Sequence, residues 1–263
     1  IEVATACMPD SPSPPASHFI ILANSSRVVT CITVLSRRVG CFEKALSNFS
    51  PPSNLFKIRQ SVTHQKGAVI MTDFILASAS PRRKELILNL PYSFRIETKE
   101  TDEILDPDAM PEENVMAIAR QKAAAVAQDN RDSLVVGCDT VVVYDSLILG
   151  KPKDAKDAGR MLRLLSGNTH RVYTGVSLIL RSKKLSHSFF VCTEVSFKQL
   201  TEDEINRYVA TEEPLDKAGA YGIQQYGSLF VEKIHGDYFN VVGLPINRLY
   251  TELQRTVRDY GLF

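Results

Sequence analysis

The stretch Phe74-Ile75-Leu76-Ala77-Ser78-Ala79-Ser80-Pro81-Arg82-Arg83 constrains the fold more than any other part of the chain. Four apolar residues suit a short buried strand. A small, hydroxyl-rich turn follows, and Ser80 and Pro81 then stand where a helix takes its N-cap and first residue. Free N–H groups at a helix start attract anions, and Arg82 and Arg83 add positive charge there. That charge opposes the helix dipole, so stability alone gives arginine no reason to occupy the first turn. The stretch reads as a phosphate cradle.

Strand and helix patterns alternate from Met71 onward. Arg82 to Leu90 is expected to be helical, with Leu86, Ile87 and Leu90 on one face and Pro91 as its stop. Phe94-Arg95-Ile96 predicts a second strand, running into an acidic loop over Glu97 to Asp108. Glu112 to Gln128 has Val115, Ile118, Ala119, Lys122 and Val126 at helical spacing. Two apolar runs, Leu134 to Val136 and Val141 to Val143, flank Gly137-Cys138-Asp139-Thr140. Asp154 to Leu165 predicts another helix, ended by Gly167. His170 to Phe197 is β-rich, with a hairpin expected near Leu185-Ser186-His187. Thr201-Glu202-Asp203-Glu204 is a capping-box start for a helix through Val209. A strand pair is expected around Leu229 to Ile234 and Tyr238 to Val242, then a last helix from Pro245 to about Val257. The mixture indicates an α/β fold with a mixed sheet.

Charge excludes some functions. The 263 residues carry 31 Lys/Arg and 30 Asp/Glu, a net charge of +1. Residues 1–70 hold seven Lys/Arg and three Asp/Glu, which leaves a mildly acidic body unsuited to a broad nucleic-acid face. No apolar run approaches the roughly 20 residues of a membrane-spanning helix. The cysteines at 7, 31, 41, 138 and 192 show neither disulfide nor zinc spacing, which suits a reducing, cytoplasmic setting. Residues 1–70 contain Ser/Pro-rich breaks (Ser11 to Ser17; Ser50-Pro51-Pro52-Ser53) and no sustained period. They are expected to be a poorly ordered extension, either an upstream addition ahead of Met71 or a targeting segment, and 71–263 the working domain.

Several groups point to chemistry. Asp139, set among apolar β residues, is costly to bury unless paired, hydrogen-bonded or metal-bound; a general base, a metal ligand and a turn cap are all open to it. In the acidic loop, Asp102 and Glu103 offer oxygen ligands for magnesium or manganese, or form a solvated face. Lys122 lies in an apolar helical stripe, and Lys151 precedes Pro152 at a strand end. With Arg82 and Arg83 they make four cations able to surround a triphosphate. In the run Asp216 to Gln224, glycines allow close backbone approach and the Gln224 amide can read a base edge.

Together these motifs resemble the Maf family of nucleoside triphosphate pyrophosphatases. The resemblance spans Met71 to about Tyr260. It is carried by Ser78 to Arg83, Ala119-Arg120-Gln121-Lys122-Ala123, Gly137 to Val142, Leu149-Gly150-Lys151-Pro152, Leu165-Ser166-Gly167 with His170, Thr174-Gly175-Val176, Asp216 to Gln224, and Gly243-Leu244-Pro245. It implies an inosine-triphosphatase-like fold, a mixed twisted sheet flanked by helices with two lobes around a central cleft. It further implies metal-dependent hydrolysis between the α and β phosphates. By resemblance Asp139 is the proton acceptor, and Ser78, Arg82, Arg83, Lys122 and Lys151 contact the substrate. Glu103 and Asp139 lie at the magnesium or manganese ion. Arg82, Thr140 and Gln224 resemble the subgroup acting on dTTP and UTP. Cys138 stands where alanine is common. The partner implied is a nucleoside triphosphate, and a homodimer is compatible with the resemblance. The alternatives are a non-catalytic, nucleotide-sensing regulator of cell division and hydrolysis of ITP or XTP.

Overall fold

The computed structural model describes residues 73–262; the expected extension over 1–70 lies outside them. Strand β1 (Phe74–Ala77) leads through helix α1 (Pro81–Ile87) to β2 (Phe94–Ile96), and α2 (Pro111–Ala127) leads on to β3 (Leu134–Tyr144). β1 lies parallel to both β2 and β3. All four β1 residues are buried, as expected of a parallel strand covered on both faces.

Beyond this parallel corner the sheet turns antiparallel. β4 (Leu147–Leu149) folds back on β3 through Asp145 and Ser146, both at positive φ, the conformation of a tight two-residue hairpin. After α3 (Ala155–Leu165), the long strands β5 (Thr169–Leu180) and β6 (Leu185–Phe197) extend the sheet. α4 (Glu202–Val209) follows, then β7 (Val231–His235), α5 (Tyr238–Val242) and α6 (Ile246–Tyr260). The seven strands run β2-β1-β3-β5-β6-β7, with β4 beside β3.

Strand alternation divides the core. Leu76, Val136, Cys138, Val142, Val172 and Val176 join Leu162, Leu249 and Leu253 of the helices in one large cluster. Ile75, Ala77, Val135 and Ile179 pack on the opposite side against Ala123, Val126 and Ala127 of α2. Two glycines seat α2 directly on the sheet. A Cβ on Gly137 would stand 2.2 Å from the Ala119 carbonyl oxygen, and one on Gly175 would stand 2.4 Å from that of Val115.

One opening matters for function. On its β1 side, β3 is paired only as far as Gly137, opposite Ala77. β4 begins its pairing at Val142. Residues 138–141 therefore have no strand partner on that edge, and the turn from Ser78 to Ser80 leaves the sheet there.

The local expectations hold with five corrections. The first helix ends at Ile87, with Leu88 as its C-cap, and does not run on to Leu90 and Pro91. The two apolar runs around Asp139 are one continuous strand of 11 residues. The hairpin bend lies at Arg181–Lys183 with Lys184 at φ 53°, so Leu185 to His187 already belong to β6. Tyr238–Val242 is a short helix, not a strand: the Asp237 carboxylate accepts from Phe239 N–H at 2.8 Å, and Gly243 ends it at φ 116°. Ser80 occupies the N-cap of α1, but its hydroxyl makes no capping bond; its N–H donates instead to Ser78 Oγ at 3.3 Å. No helix among the described residues is long and apolar enough to cross a membrane.

Candidate active site

A cleft of about 1290 Å³ opens where β3 loses its strand partner, and Ser78, Arg82, Arg83, Glu103, Lys122, Asp139, Thr140, Lys151 and Gln224 all line it. Every site residue expected from the sequence is thus brought to one cavity, from six separate parts of the chain.

Asp139 shares the α2 face of β3 with Val135 and Gly137. Its side chain is 11% exposed, and Lys122 Nζ donates to its Oδ1 at 2.8 Å. The same ammonium meets Glu103 Oε1 at 2.9 Å. Lys122 reaches both because Gly137 and Gly175 let α2 lie close to the sheet. The loop carrying Glu103 is pinned at its far end by Asn114, which is buried. Asn114 Oδ1 accepts from Asp106 N–H at 2.7 Å and its amide donates to Asp106 O at 2.9 Å. Nothing in the sequence pattern singled out Asn114, whose partners lie in a loop without periodicity.

Thr140 points to the opposite face. Thr174 donates its hydroxyl proton to Asn240 O at 3.1 Å, so the 2.9 Å contact between the two threonines is Thr140 donating to Thr174. Thr140 Oγ1 in turn accepts from Arg83 Nη2 at 2.9 Å. Arg83 also donates to Gly243 O at 2.7 Å, Cys138 O at 3.0 Å and Ser78 Oγ at 3.2 Å. The guanidinium is therefore a bracket joining the Ser78 turn, the middle of β3 and the turn after α5. That explains an arginine in a first helical turn without a ligand, and Ser78 is held by it.

The other cations differ. Arg82 Nη1 meets Asp216 Oδ2 across the cleft at 3.3 Å. Lys151 is exposed and its side chain makes no hydrogen bond or ion pair among the described residues. Gln224 is exposed at the end of the segment beginning at Asp216. Buried Cys138 has its thiol pushed up to about 11 by desolvation, which suits a core residue and not a nucleophile.

The donor set suits a hard cation only in company. No group of three or more His, Cys, Asp and Glu able to hold a metal exists among the described residues. Glu103 and Asp139 nevertheless converge on one ammonium, and two carboxylates completed by phosphate oxygens and water match what magnesium or manganese takes.

Comparison with known proteins agrees with this geometry. The model of the family described as Maf-like protein matches residues 73–256. A dTTP/UTP pyrophosphatase of Bacillus cytotoxicus is 55% identical over 185 residues, covering 70% of this chain and 96% of that protein. One from Bacillus cereus is 53% identical over the same shares. Among solved structures, the Ham1 protein of Staphylococcus aureus matches 70% of this chain and 100% of its own at 14% identity. Its TM-score of 0.39 is too low to support an argument. The chain belongs to the Maf-like protein family.

Proposed function

We propose that this chain hydrolyses dTTP and UTP to the monophosphate and pyrophosphate, as the names of its relatives describe for them. The observation that carries the reading is the Asp139–Lys122–Glu103 cluster in the cleft, a carboxylate pair held on one half-buried ammonium at 2.8 and 2.9 Å.

Phosphoryl transfer is catalysed mainly by positioning and by meeting spread negative charge. Lys122 fixes Asp139 through Oδ1, and Oδ2 takes no donor from the described residues. Asp139 is thereby set to orient the attacking water and accept its proton. Lys151 and Lys122 meet the triphosphate oxygens, and the N–H groups at the start of α1 lie along the same wall. Magnesium or manganese, held by Glu103 and Asp139, supplies further charge neutralisation when bound. Arg82, Thr140 and Gln224 serve base selection, Thr140 through its hold on Arg83. The reading also places the protein in the cytoplasm, acting on free nucleotides.

Pyrophosphate release from dTTP, UTP, CTP, ITP, XTP and the remaining common triphosphates, with magnesium or manganese, tests the proposal. Turnover led by dTTP and UTP is expected. Absence of turnover for every nucleotide would leave the non-catalytic sensor as the better reading, and a lead for ITP or XTP would move the substrate class to purines.

A further inference from the structure

Asp216 has no role in the reading above, yet it is the group that Arg82 meets across the cleft. Its Oδ2 accepts from Arg82 Nη1 at 3.3 Å, while Oδ1 accepts from Lys217 Nζ at 2.5 Å. Lys217 is 9% exposed, and its ammonium also donates to Glu213 O at 2.6 Å. The carboxylate is thus held from behind by a largely buried cation. Burial alone would raise the Asp216 carboxyl, but the Lys217 hydrogen bond and charge, joined by Arg82, carry it below the ordinary range. Asp216 is ionised at neutral pH.

The segment is also tied to the opposite rim. Gly219 N–H donates to Gly150 O at 3.0 Å, beside Lys151. Gly219 sits at φ 67°, and a Cβ there would stand 2.8 Å from Val142 Cγ2, so the link needs glycine.

We propose that Asp216 is a specificity-determining positioning residue: it holds Arg82 so that the guanidinium reads a carbonyl oxygen of the pyrimidine base instead of gripping phosphate. The inference rests on the nucleotide-hydrolase reading. Asp216, 62% exposed and also meeting Lys217, answers only part of the Arg82 charge at 3.3 Å. It gives the guanidinium a fixed partner, while the other N–H donors of that rigid fork stay free of protein acceptors among the described residues. Arg82 makes no other side-chain hydrogen bond to the described residues. Phosphate calls for unanswered charge, which Lys151 provides. A neutral carbonyl calls for direction, which the held fork provides. Uracil and thymine present two ring carbonyl oxygens, whereas cytosine replaces one with an amino donor that a guanidinium cannot use. Gln224, eight positions along the same segment, lines the same cleft and offers a donor and an acceptor.

The test uses the full chain and the variants Asp216→Asn, Asp216→Glu, Arg82→Gln and the Asp216→Asn/Arg82→Gln double. Binding of non-hydrolysable α,β-imido analogues of UTP and CTP is measured by calorimetry, alongside kcat and KM for the hydrolysable nucleotides. Asp216→Asn should cut the uracil-over-cytosine preference by about tenfold, the scale of one net hydrogen bond weakened, mainly through Kd and KM. Arg82→Gln should do the same, the double variant no more than either single, and Asp216→Glu should recover part. A merely structural loss would weaken both analogues alike. An unchanged preference in Asp216→Asn, or additive losses in the double, overturns the proposal. If the wild type releases no pyrophosphate but binds the uracil analogue selectively through Asp216, the inference stands and the hydrolase reading falls. A wild type without preference between the analogues overturns the inference whatever its turnover.

Discussion

Replacing Gly137 with alanine tests the link between core packing and chemistry. The new Cβ would stand 2.2 Å from Ala119 O, 2.8 Å from Ala123 N and 2.9 Å from Ala123 Cβ. Two of these three atoms are helix backbone, which cannot rotate away as a side chain can. Ordinary contact begins near 3.4 Å, so α2 must lift by about 1 Å, and overpacking of this kind costs roughly 1–3 kcal/mol. In a domain of this size each kcal/mol lowers Tm by about 2–4 °C, so a fall of roughly 2–12 °C is expected. Lys122 rides on the same helix turn, with bonds of 2.8 and 2.9 Å to Asp139 and Glu103. A 1 Å displacement takes both past hydrogen-bonding range, and misplacement on that scale costs about 100-fold in rate. Thermal melts and pyrophosphate release measure the two effects. Gly159→Ala is the control, because its Cβ would meet only the end of the Arg163 side chain, at 3.2 Å; it should leave the rate alone and raise Tm slightly. A Gly137→Ala protein that melts within a degree of wild type and keeps most of its turnover would refute the argument that close seating of α2 sets the site.

Asp139→Asn should lower turnover by at least about 100-fold, the lower end of what a positioned acid–base group contributes, while analogue binding persists; near-full rate would make Asp139 structural. Arg83→Lys removes the fork that reaches four acceptors, with an expected loss of about 1.5–3 kcal/mol as buried carbonyls lose a charged donor, read as a denaturant midpoint shift. His170, buried against Tyr221 OH at 2.8 Å, is pushed down to about 3 by desolvation. Its folded value is depressed, so the unfolded chain binds the extra proton between about pH 6.5 and 3, and stability present above that window is lost as pH falls through it. The slope is about 1.4 kcal/mol per pH unit. His170→Gln should flatten denaturant-derived stability by one proton's worth over pH 6 to 4, and an unchanged slope would show that other groups dominate. Deleting residues 1–70 should leave melting and turnover of the remaining domain unaltered, as checked on the purified fragment.

The legible parts of the fold are those where local pattern and tertiary packing agree. The helical stripe of α2 became a buried face at Val115, Ile118, Ala119 and Val126, and the Thr201 capping box formed as written, with Glu204 Oε2 accepting from Thr201 N–H at 2.9 Å. Tyr238–Val242 misled because its aromatic and β-branched residues favour strands. Its helix is set by distant partners, with the Asn240 amide donating to Val172 O and Thr193 Oγ1, both at 3.0 Å. Gly137 and Asp139 hid the continuity of β3 for the related reason that both residue types are rare in strands. Within the site, motifs identified which residues gather but not what each one meets. Arg83 is as plain a cation in the sequence as Lys151, yet its donors face protein acceptors and those of Lys151 do not. Arg82 and Asp216 are 134 positions apart, a spacing no period reveals.

Those pairings follow one electrostatic logic. A cation held among apolar neighbours needs a partner, because burying unpaired charge is costly. Lys122, only 16% exposed, accordingly sits between two carboxylates. Exposed Lys151 bears no such cost and has no ion-pair partner among the described residues. Arg83 answers neutral carbonyls and hydroxyls, so its charge contributes long-range attraction to the cleft while its geometry holds the walls. On the proposed reading, a triphosphate therefore first meets Lys151 and the start of α1, where no existing bond must break. Lys122 gives two of its three donors to Glu103 and Asp139 and keeps a third that could reach a phosphate oxygen, while a divalent ion held by those carboxylates would add its charge beside the ammonium. The ammonium already holds Glu103 and Asp139 together without substrate, so on the proposed reading the two carboxylates would need only phosphate oxygens and water to complete the oxygen set of magnesium or manganese.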